Sequence, residues 1–260
     1  MNQTTGEPTP DEADLVRRFT GTRRLYGDVA ADTFAAAHVC VIGIGGVGSW
    51  VAEALARSAV GALTLVDLDM VAESNVNRQI HAVSGAFGAA KVEVMARRIA
   101  GINPACVMTT IEDFATADNA ASLLGRGFSV IVDAIDDAPA KVALIAAARR
   151  LSLPLVTVGG AGGRRDPTRI RCDDLARSAH DPLLARVRRD LRKQHHFPAK
   201  GEFGIRAVFS QEPMSVPPED ACDPSGRLAC SGYGSAVAVT GSFGFAAAAE
   251  ALRLIGERAG

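Results

Sequence analysis

The stretch VCVIGIGGVGSWVAEALARS, residues 39–58, decides the fold of this chain. Its first part, 39–43, is a short continuous apolar run, which predicts a buried strand. Its second half, 49–58, predicts a helix. The end of the first part and the residues that follow it contain four glycines: Gly43, Gly45, Gly46 and Gly48. Glycines at this point let the backbone approach a phosphate, and the helix N-terminus adds amides and a positive dipole end, so the stretch predicts nucleotide binding.

Apolar runs and helical segments continue to alternate beyond this stretch. Further strands are predicted at 62–67, 107–112, 129–134 and 154–159, and helices at 90–104 and 139–150. Because the strands are continuously apolar, they suit a parallel sheet that is covered on both faces. A βαβ succession of this kind has right-handed crossovers. The predicted fold class is therefore α/β, with a doubly wound, Rossmann-like, mostly parallel sheet.

The sequence divides into three parts. Residues 1–14, rich in Thr, Pro and acidic residues, predict a disordered leader, and residues 15–163 predict the nucleotide-binding domain. Residues 164–260 predict a C-terminal extension that completes the same domain. It contains short strands at 169–175 and 204–210, and a long loop between Gln211 and Leu228 that would act as a lid.

Composition excludes several classes of protein. The 260 residues carry a formal net charge of -1, so any nucleic-acid contact would need a local basic patch. The five cysteines include no Cys-x-x-Cys pair, which argues against a structural zinc site or a disulfide framework. The N-terminus has no apolar core of a signal peptide, and the apolar stretch 236–251 is short and interrupted by glycine. A cytoplasmic protein whose final apolar stretch is a buried helix is predicted.

The residues after the second strand distinguish between two nucleotides. Asp67 ends that strand, where it can bond a ribose hydroxyl, and this alone favours an NAD-binding domain. Several polar residues then follow that NAD binding does not need: Asp69, Asn75, Arg78, Gln79 and Lys91. Arg and Lys side chains hold triphosphate oxygens and stabilise the charge that develops on pyrophosphate as it leaves. Taken singly, Arg78 and Lys91 could be ordinary surface charges; together these residues favour ATP.

Two acids end the fourth predicted strand, Asp133 and Asp136. Ligands of a doubly wound sheet bind beyond the carboxyl ends of its strands, so one of these carboxylates could coordinate Mg²⁺. The alternative for Asp136 is a role as helix N-cap ahead of Pro139.

The ordered combination of glycine loop, strand-end Asp, Asn-x-x-Arg-Gln, Lys and Asp-x-x-Asp resembles the adenylation domain shared by ubiquitin-activating enzymes and bacterial adenylyltransferases for molybdopterin synthase and thiamine biosynthesis. The resemblance implies that Gly46 lies at the ATP phosphates, Asp67 holds the ribose, Asn75, Arg78 and Lys91 face the triphosphate, and Asp136 binds Mg²⁺. It also implies a homodimer in which an N-terminal arginine of the partner reaches the ATP. The candidates are Arg18, Arg23 and Arg24.

Motifs farther along resemble one branch of that family. They are Arg78-Gln-Ile-His81, Gly159-Gly-Ala-Gly-Gly163, Phe209-Ser-Gln-Glu212 and Cys230-Ser-Gly-Tyr-Gly234. The whole pattern resembles the tRNA threonylcarbamoyladenosine dehydratases, which implies ATP-dependent cyclisation of a modified adenosine beside the anticodon. The alternative is adenylation of the C-terminus of a ubiquitin-like sulfur-carrier protein, although the enzymes of that branch usually carry two Cys-x-x-Cys pairs.

Three further features leave alternatives open. Cys230 either accepts the acyl group as a thioester, only lines the pocket, or is a small buried residue. His81 could lie at the active site, in the core or on the surface. A basic stretch predicts a phosphate-binding surface if the substrate is tRNA, and a solvated helical face otherwise. It comprises Arg186, Arg188, Arg189, Arg192 and Lys193. Accessory sulfur-transfer partners and a monovalent cation near the glycine loops also stay open.

Overall fold

A seven-stranded sheet in the order β3-β2-β1-β4-β5-β7-β6 forms the centre of the fold. The computed structural model describes residues 14–215 and 233–257. The strands are β1 (His38–Ile42), β2 (Ala62–Val66), β3 (Val107–Ile111), β4 (Val130–Asp133), β5 (Leu155–Val158), β6 (Ile170–Asp174) and β7 (Arg206–Ser210). All neighbours pair in parallel except β6, which is antiparallel to β7. The predicted α/β fold with a mostly parallel sheet is confirmed.

Helices cover both faces of this sheet. In the described residues they are α1 (Leu15–Tyr26), α2 (Asp28–Ala36), α3 (Gly48–Arg57), α4 (Lys91–Ile102), α5 (Ala120–Leu124), α6 (Ala138–Arg150), α7 (Pro182–His195) and α8 (Val237–Gly256). Alternate residues of β1 belong to different cores. Val39 and Val41 pack with residues of α3, α4 and α8, whereas Cys40 and Ile42 pack with residues of α5, α6 and α7. Burial on both faces explains why the strand is a continuous apolar run.

The final helix α8 supports the start of α3. By length and composition α8 is apolar enough to cross a membrane, but 61% of its most apolar window is buried in the fold. Gly244 makes the close approach possible, because a Cβ there would lie 2.6 Å from Trp50 Cβ and 2.8 Å from the Val47 carbonyl oxygen. The Trp50 ring also contacts Phe245 edge to face, with the ring centroids 5.7 Å apart. Helix α8 is therefore a core element that holds the beginning of α3 in place.

Three helices of the described structure, α1, α2 and α5, were not expected from the sequence. Asp14 is the N-cap of α1 and accepts a hydrogen bond from Arg17 N at 2.9 Å, so helical structure begins directly after the predicted leader. Residues 1–13, and the part of the predicted lid between residues 216 and 232, lie outside the described residues.

Candidate active site

The glycine loop after β1 turns so tightly that two of its glycines have no room for a side chain. A Cβ on Gly48 would lie 1.8 Å from the Gly43 carbonyl oxygen, and one on Gly43, where φ is +87°, would lie 2.9 Å from Ile135 Cγ2. Gly45, by contrast, faces open space, with no atom within 4 Å of a built Cβ. Helix α3 begins without a side-chain cap. The loop therefore leaves room for a ligand beside the uncapped amides of a helix N-terminus, which suits a phosphate.

Arg78 lies over this loop. A Cβ on Gly46 would meet Arg78 Cγ at 3.1 Å and Cδ at 3.2 Å. Two hydrogen bonds hold the guanidinium, since Arg78 Nη1 donates to the Ser74 carbonyl oxygen at 2.7 Å and to Asn77 Oδ1 at 3.0 Å. The Arg78 carbonyl oxygen accepts from Trp50 Nε1 at 2.9 Å. The side chain is thus fixed against the glycine loop instead of standing free on the surface.

Lys91 and Asp69 form an ion pair at the start of α4. Lys91 Nζ lies 2.7 Å from Asp69 Oδ2, and Lys91 N donates to the Asp69 carbonyl oxygen at 3.0 Å. The Lys91 side chain is only 7% exposed, whereas that of Asp69 is 56% exposed. The surface-charge alternative for Lys91 is therefore wrong. Both residues were expected at the site, but their pairing follows only from the fold.

Asp67 ties the end of β2 to the glycine loop. Its Oδ2 accepts from Ile44 N at 2.6 Å and its Oδ1 accepts from Asp69 N at 2.9 Å. A carboxylate oxygen has two lone-pair directions, so these bonds leave capacity for a ribose hydroxyl. The carboxylate both shapes the loop and borders the space in front of it.

Asn75 and Gln79 build the turn that carries Arg78. The buried Asn75 Oδ1 accepts from Ala72 N at 3.0 Å, and the Asn75 carbonyl oxygen accepts from Arg78 N and Gln79 N at 3.1 and 2.9 Å. Gln79 is buried, and its Oε1 has no hydrogen-bond partner within residues 14–215 and 233–257. Asn75 therefore supports the turn that carries Arg78. Gln79 follows Arg78 in the sequence, and its side-chain oxygen accepts no hydrogen bond from the described residues.

The two acids after β4 have different surroundings. Asp133 is fully buried, with its Oδ2 2.9 Å from Lys141 Nζ, whereas Asp136 is exposed. The N-cap of α6 is Asp137, whose Oδ1 accepts from Ala140 N at 2.7 Å. The N-cap alternative for Asp136 is therefore wrong, because Asp137 is the residue whose carboxylate reaches the amide of the first helical turn.

The donor set at this edge fits a magnesium ion that is shared with phosphates. Mg²⁺ is usually bound by one or two carboxylates together with waters and phosphate oxygens. The exposed Asp136 is such a carboxylate. In the described part of the chain no three His, Cys, Asp or Glu side chains are grouped to form an all-protein metal site.

Comparison with known proteins places this geometry in a family. A model of the ThiF family matches residues 20–259. The chain belongs to the ThiF family. This ThiF-family chain is 49% identical to the tRNA threonylcarbamoyladenosine dehydratase of Escherichia coli K12 over 91% of its own length and 92% of that protein. The crystal structure of the E. coli enzyme in complex with ATP matches with a TM-score of 0.87 at 48% identity, over 95% of this chain and 97% of that one.

Similarity to the sulfur-carrier branch is shorter. The molybdopterin-synthase adenylyltransferase of Salmonella typhimurium is 34% identical, but over only 46% of this ThiF-family chain and 48% of that protein. The resemblance to the dehydratases, by contrast, extends over nearly the whole chain, as the motifs after Gly163 predicted.

The three candidate arginines of the N-terminal segment are not equivalent in this ThiF-family chain. Arg18 Nη1 donates to the carbonyl oxygens of Gly101 and Ile102 at 3.0 and 2.8 Å. Arg23 pairs with Asp28 and Asp32 at 2.9 and 2.6 Å. Arg24 is exposed. Two of the three are thus engaged within their own chain.

The residues of the predicted basic patch all lie on helix α7, but they differ in exposure. Leu184, Val187 and Leu191 face the core, which leaves three basic residues exposed, called the basic stripe below: Arg186, Arg189 and Lys193. The other two, Arg188 and Arg192, are half-buried. Arg188 Nη1 donates to Ser178 Oγ, and the Arg192 guanidinium lies 5.0 Å from the centroid of the Phe203 ring.

Loops after β5 connect this helix to the site. Gly160 N donates to Asp181 Oδ2 at 3.0 Å, and Asp181 is the N-cap of α7. In the same loop, Gly163 N donates to the Gly234 carbonyl oxygen at 3.0 Å and the Gly163 carbonyl oxygen accepts from Ser215 N at 2.8 Å. Helix α7 therefore begins at the carboxyl edge of the sheet, and Gly163 joins the residues on both sides of 216–232. Cys230 itself lies outside the described residues.

Sequence reasoning did not single out Ser49 or Lys141, two polar side chains near the site, and it left the location of His81 open. His81 is 2% exposed and neither ring nitrogen has a hydrogen-bond partner in the described residues, and the buried Ser49 Oγ has none either. Lys141 is fully buried in the first turn of α6, a helix whose other buried residues are apolar. A lysine on the apolar face of a predicted helix is a signal that the sequence does contain.

Burial, together with the positive charges of Lys91 and Arg98, lowers the pKa of His81 to about 4. The imidazole is therefore neutral at pH 7. In the unfolded chain a histidine takes up its proton near pH 6.5. The contribution of His81 to stability is thus complete above pH 6.5 and is lost as the pH falls from 6.5 towards 4.

We predict that His81→Gln makes the free energy of unfolding less dependent on pH between 7 and 5. The difference from the unsubstituted protein should reach roughly 2 kcal/mol at pH 5, measured by urea denaturation. His196→Asn is the control, because His196 is exposed and has a positive φ that asparagine tolerates. Parallel pH profiles for His81→Gln and the unsubstituted protein would contradict the depressed pKa.

Proposed function

We propose that this chain is an ATP-dependent tRNA threonylcarbamoyladenosine dehydratase. It activates the threonyl carboxylate of the modified adenosine as an acyl-adenylate and then closes a ring with net loss of water. The observation that carries the proposal is the fixed position of Arg78 over Gly46, in a chain that is 49% identical to the E. coli enzyme over 91% of its length.

The proposed first step is adenylation. A carboxylate oxygen of the substrate attacks the α-phosphorus of ATP, the bond to the β-phosphate oxygen breaks, and pyrophosphate leaves. The glycine loop holds the phosphates, and Arg78 and Lys91 stabilise the negative charge on the leaving group. Asp136 would hold Mg²⁺, which neutralises phosphate charge when it is bound.

The proposed second step is ring closure. The ureido nitrogen attacks the activated acyl carbon, AMP leaves with the former carboxylate oxygen, and the N–H proton is released. Because nucleophile and electrophile belong to one nucleotide, the step is effectively unimolecular, an advantage of roughly 7–11 kcal/mol over a bimolecular reaction. Neither step requires an oxidant or a reductant.

The product distinguishes this function from its alternatives. Incubation with ATP, Mg²⁺ and tRNA that carries threonylcarbamoyladenosine should yield a nucleoside lighter by one water in mass spectrometry. ATP–pyrophosphate exchange that depends on a sulfur-carrier protein, and not on the modified tRNA, would support the alternative. If the incubation gives no dehydrated nucleoside and the modified tRNA supports no ATP–pyrophosphate exchange, the proposal fails.

We predict that Arg78→Ala and Asp136→Ala each abolish adenylation but leave the fold intact. Arg78 is half-buried and Asp136 is exposed, so neither fills the core. The assay is ATP–pyrophosphate exchange with modified tRNA, and circular dichroism checks the fold. Arg97→Ala and Asp118→Ala, which remove exposed charges elsewhere, are the matched controls. Exchange at the unsubstituted rate in either site variant would remove that residue from the mechanism.

The basic stripe is proposed to bind tRNA phosphates. Helix α7 begins beside the site, through the bond between Gly160 and Asp181, and runs away from it with Arg186 and Arg189 side chains 55% and 69% exposed. Arg186 and Arg150 also line a groove of about 400 Å³ between α6 and α7. Cationic side chains along such a surface supply sequence-independent affinity.

We predict that replacing Arg186, Arg189 and Lys193 together by Ala weakens tRNA binding and reduces its dependence on salt. Each phosphate contact that is lost should lower the slope of log K against log salt by about one unit. Titration at several salt concentrations measures the slope. The control replaces Arg17, Arg97 and Arg126 by Ala, which removes the same charge from other exposed positions. Equal slopes for the two triple variants would contradict the assignment.

The homodimer is proposed on the exposed apolar surface of α1 and α2. Helix α1 has no buried residue, and Val16, Leu25 and Val29 are 79%, 77% and 68% exposed. A second chain that covers this surface would remove apolar area from water. Arg24, the candidate that is not held by Gly101, Ile102, Asp28 or Asp32, is proposed to reach the partner's ATP. Sedimentation of the chain at the mass of one subunit would contradict the dimer.

We further propose that residues 15–163 form the ATP-binding adenylation part and 164–260 complete the same domain, since β7 of the second part pairs with β5 of the first.

A cytoplasmic location fits a tRNA substrate. Immunofluorescence or fractionation of cells would test it.

Cys230 is proposed to act between the two steps: its thiolate displaces AMP from the acyl-adenylate to form a thioester, and the ureido nitrogen then displaces that thiolate, instead of AMP, as the ring closes. In the sequence Cys230 lies four residues before Gly234, whose carbonyl oxygen accepts from Gly163 N. We predict that Cys230→Ser retains ATP–pyrophosphate exchange but cyclises tRNA more slowly, because a thioester cannot form. Cyclisation at the unsubstituted rate, followed by mass spectrometry, would contradict the covalent step.

A further inference from the structure

A lysine and an aspartate form a fully buried ion pair directly beneath the turn that carries Asp136. The side chains of Lys141 and Asp133 are both 0% exposed, and Lys141 Nζ lies 2.9 Å from Asp133 Oδ2. The same ammonium donates to the Asp133 carbonyl oxygen and to Thr157 Oγ1, each at 3.2 Å. Thr157 Oγ1 in turn donates to Asp133 Oδ2 at 2.7 Å. The network joins α6 to the carboxyl ends of β4 and β5.

Stability does not explain why charges are present at this place. Transfer of two charges from water to the interior carries a desolvation cost, and well-packed apolar residues of similar volume are often equally stable. The surrounding positions of α6, including Leu144 and Ile145, are apolar and fully buried. What an ion pair adds is direction, because its hydrogen bonds are satisfied in only one geometry.

That geometry determines the turn after β4. Asp133 Oδ1 accepts from Ile135 N at 3.3 Å, so the carboxylate that holds Lys141 also holds the turn. The turn in its place abuts the glycine loop, since a Cβ on Gly43 would lie 2.9 Å from Ile135 Cγ2 and one on Gly48 would lie 3.3 Å from Ala134 Cβ. Asp136 is the next residue. The network, the turn and the phosphate loop are therefore in continuous contact.

We propose that Lys141 is a positioning residue for adenylation: through Asp133 and Thr157 it fixes the turn at residues 134–136 and so keeps Asp136 in register with the glycine loop. The inference rests on the proposed function, because it assigns Asp136 to the Mg²⁺ that accompanies ATP. Lys141 touches neither substrate nor nucleotide and acts only through the turn.

The principal variant is Asp133→Asn with Lys141→Met, which removes both charges with little change in volume. We expect the double variant to fold, but to need more Mg²⁺ for half-maximal ATP–pyrophosphate exchange and to lose roughly 10- to 100-fold in kcat, as expected for a displacement near 1 Å at a reacting centre. The KM for modified tRNA should stay unchanged. Thr157→Val, which removes only one hydroxyl of the network, should show the same shift more weakly and covers the case in which the double variant does not fold.

A readout that does not depend on turnover is the thermal shift produced by nucleotide. ATP in the presence of EDTA should raise the melting temperature of the unsubstituted protein and of the double variant equally. The additional rise with Mg²⁺ should be smaller in the double variant. The control is Arg206→Met with Glu250→Gln, which neutralises another ion pair, 2.6 Å between Arg206 Nε and Glu250 Oε1, on β7 and α8. It should leave the Mg²⁺ dependence unchanged.

A double-mutant comparison tests the route through Asp136. Asp136→Ala alone should reduce the increment of the melting temperature that Mg²⁺ produces. Adding the substitutions at positions 133 and 141 to Asp136→Ala should not reduce that increment any further. An unchanged Mg²⁺ dependence in the folded double variant, or an equal change in the Arg206 and Glu250 control, would overturn the inference. If the unsubstituted protein itself gives neither exchange nor a thermal shift with ATP, the proposed function fails instead.

Discussion

The close approach of the glycine loop to itself is the constraint on which the rest of the site depends. A Cβ on Gly48 would lie 1.8 Å from the Gly43 carbonyl oxygen, so only glycine permits helix α3 to begin where it does. The sharp turn directs the N-terminus of α3 towards the space in front of Gly45. Arg78 covers one side of the loop and the turn at Ala134–Ile135 abuts the other. A phosphate in that space would therefore meet amides and a guanidinium whose positions are already determined.

This local constraint is supported by elements that are distant in the sequence. Trp50 follows the loop, and its indole donates to the Arg78 carbonyl oxygen while its ring contacts Phe245 of α8. The final helix thus packs against the first residues of α3, which explains how the last part of the chain contributes to a site near its beginning. On the other side of the sheet, Gly160 and Asp181 connect β5 to helix α7 and the basic stripe. The loop after β5 and the N-cap of α7 thus link the proposed nucleotide site to the surface proposed for tRNA.

The parts of the site that sequence patterns predicted well are those with a strong local signal. The glycine loop and the buried parallel strands belong to this group, since apolar runs and glycine spacing report directly on burial and on turns. The N-cap of α6 shows the limit of such signals. Asp136 and Asp137 are adjacent acids before a proline, and one residue of register, which depends on how the turn leaves β4, decides that Asp137 caps the helix. The basic stretch is similar, because helical phase and the core contacts of Leu184, Val187 and Leu191 decide which cations face solvent.

The sequence by itself determined the fold class, the position of the glycine loop after β1 and the ordered set of charged residues that favours ATP. Each of these is encoded in neighbouring residues or in their order along the chain. Only the tertiary structure decided which polar side chains meet: Asp69 pairs with Lys91 across 22 positions, and Asp133 pairs with Lys141 and accepts a hydrogen bond from the Thr157 hydroxyl. The physical reason is that ion pairing requires atoms within a few ångströms of each other, and that proximity is created by the packing of strands and helices, not by their sequence order.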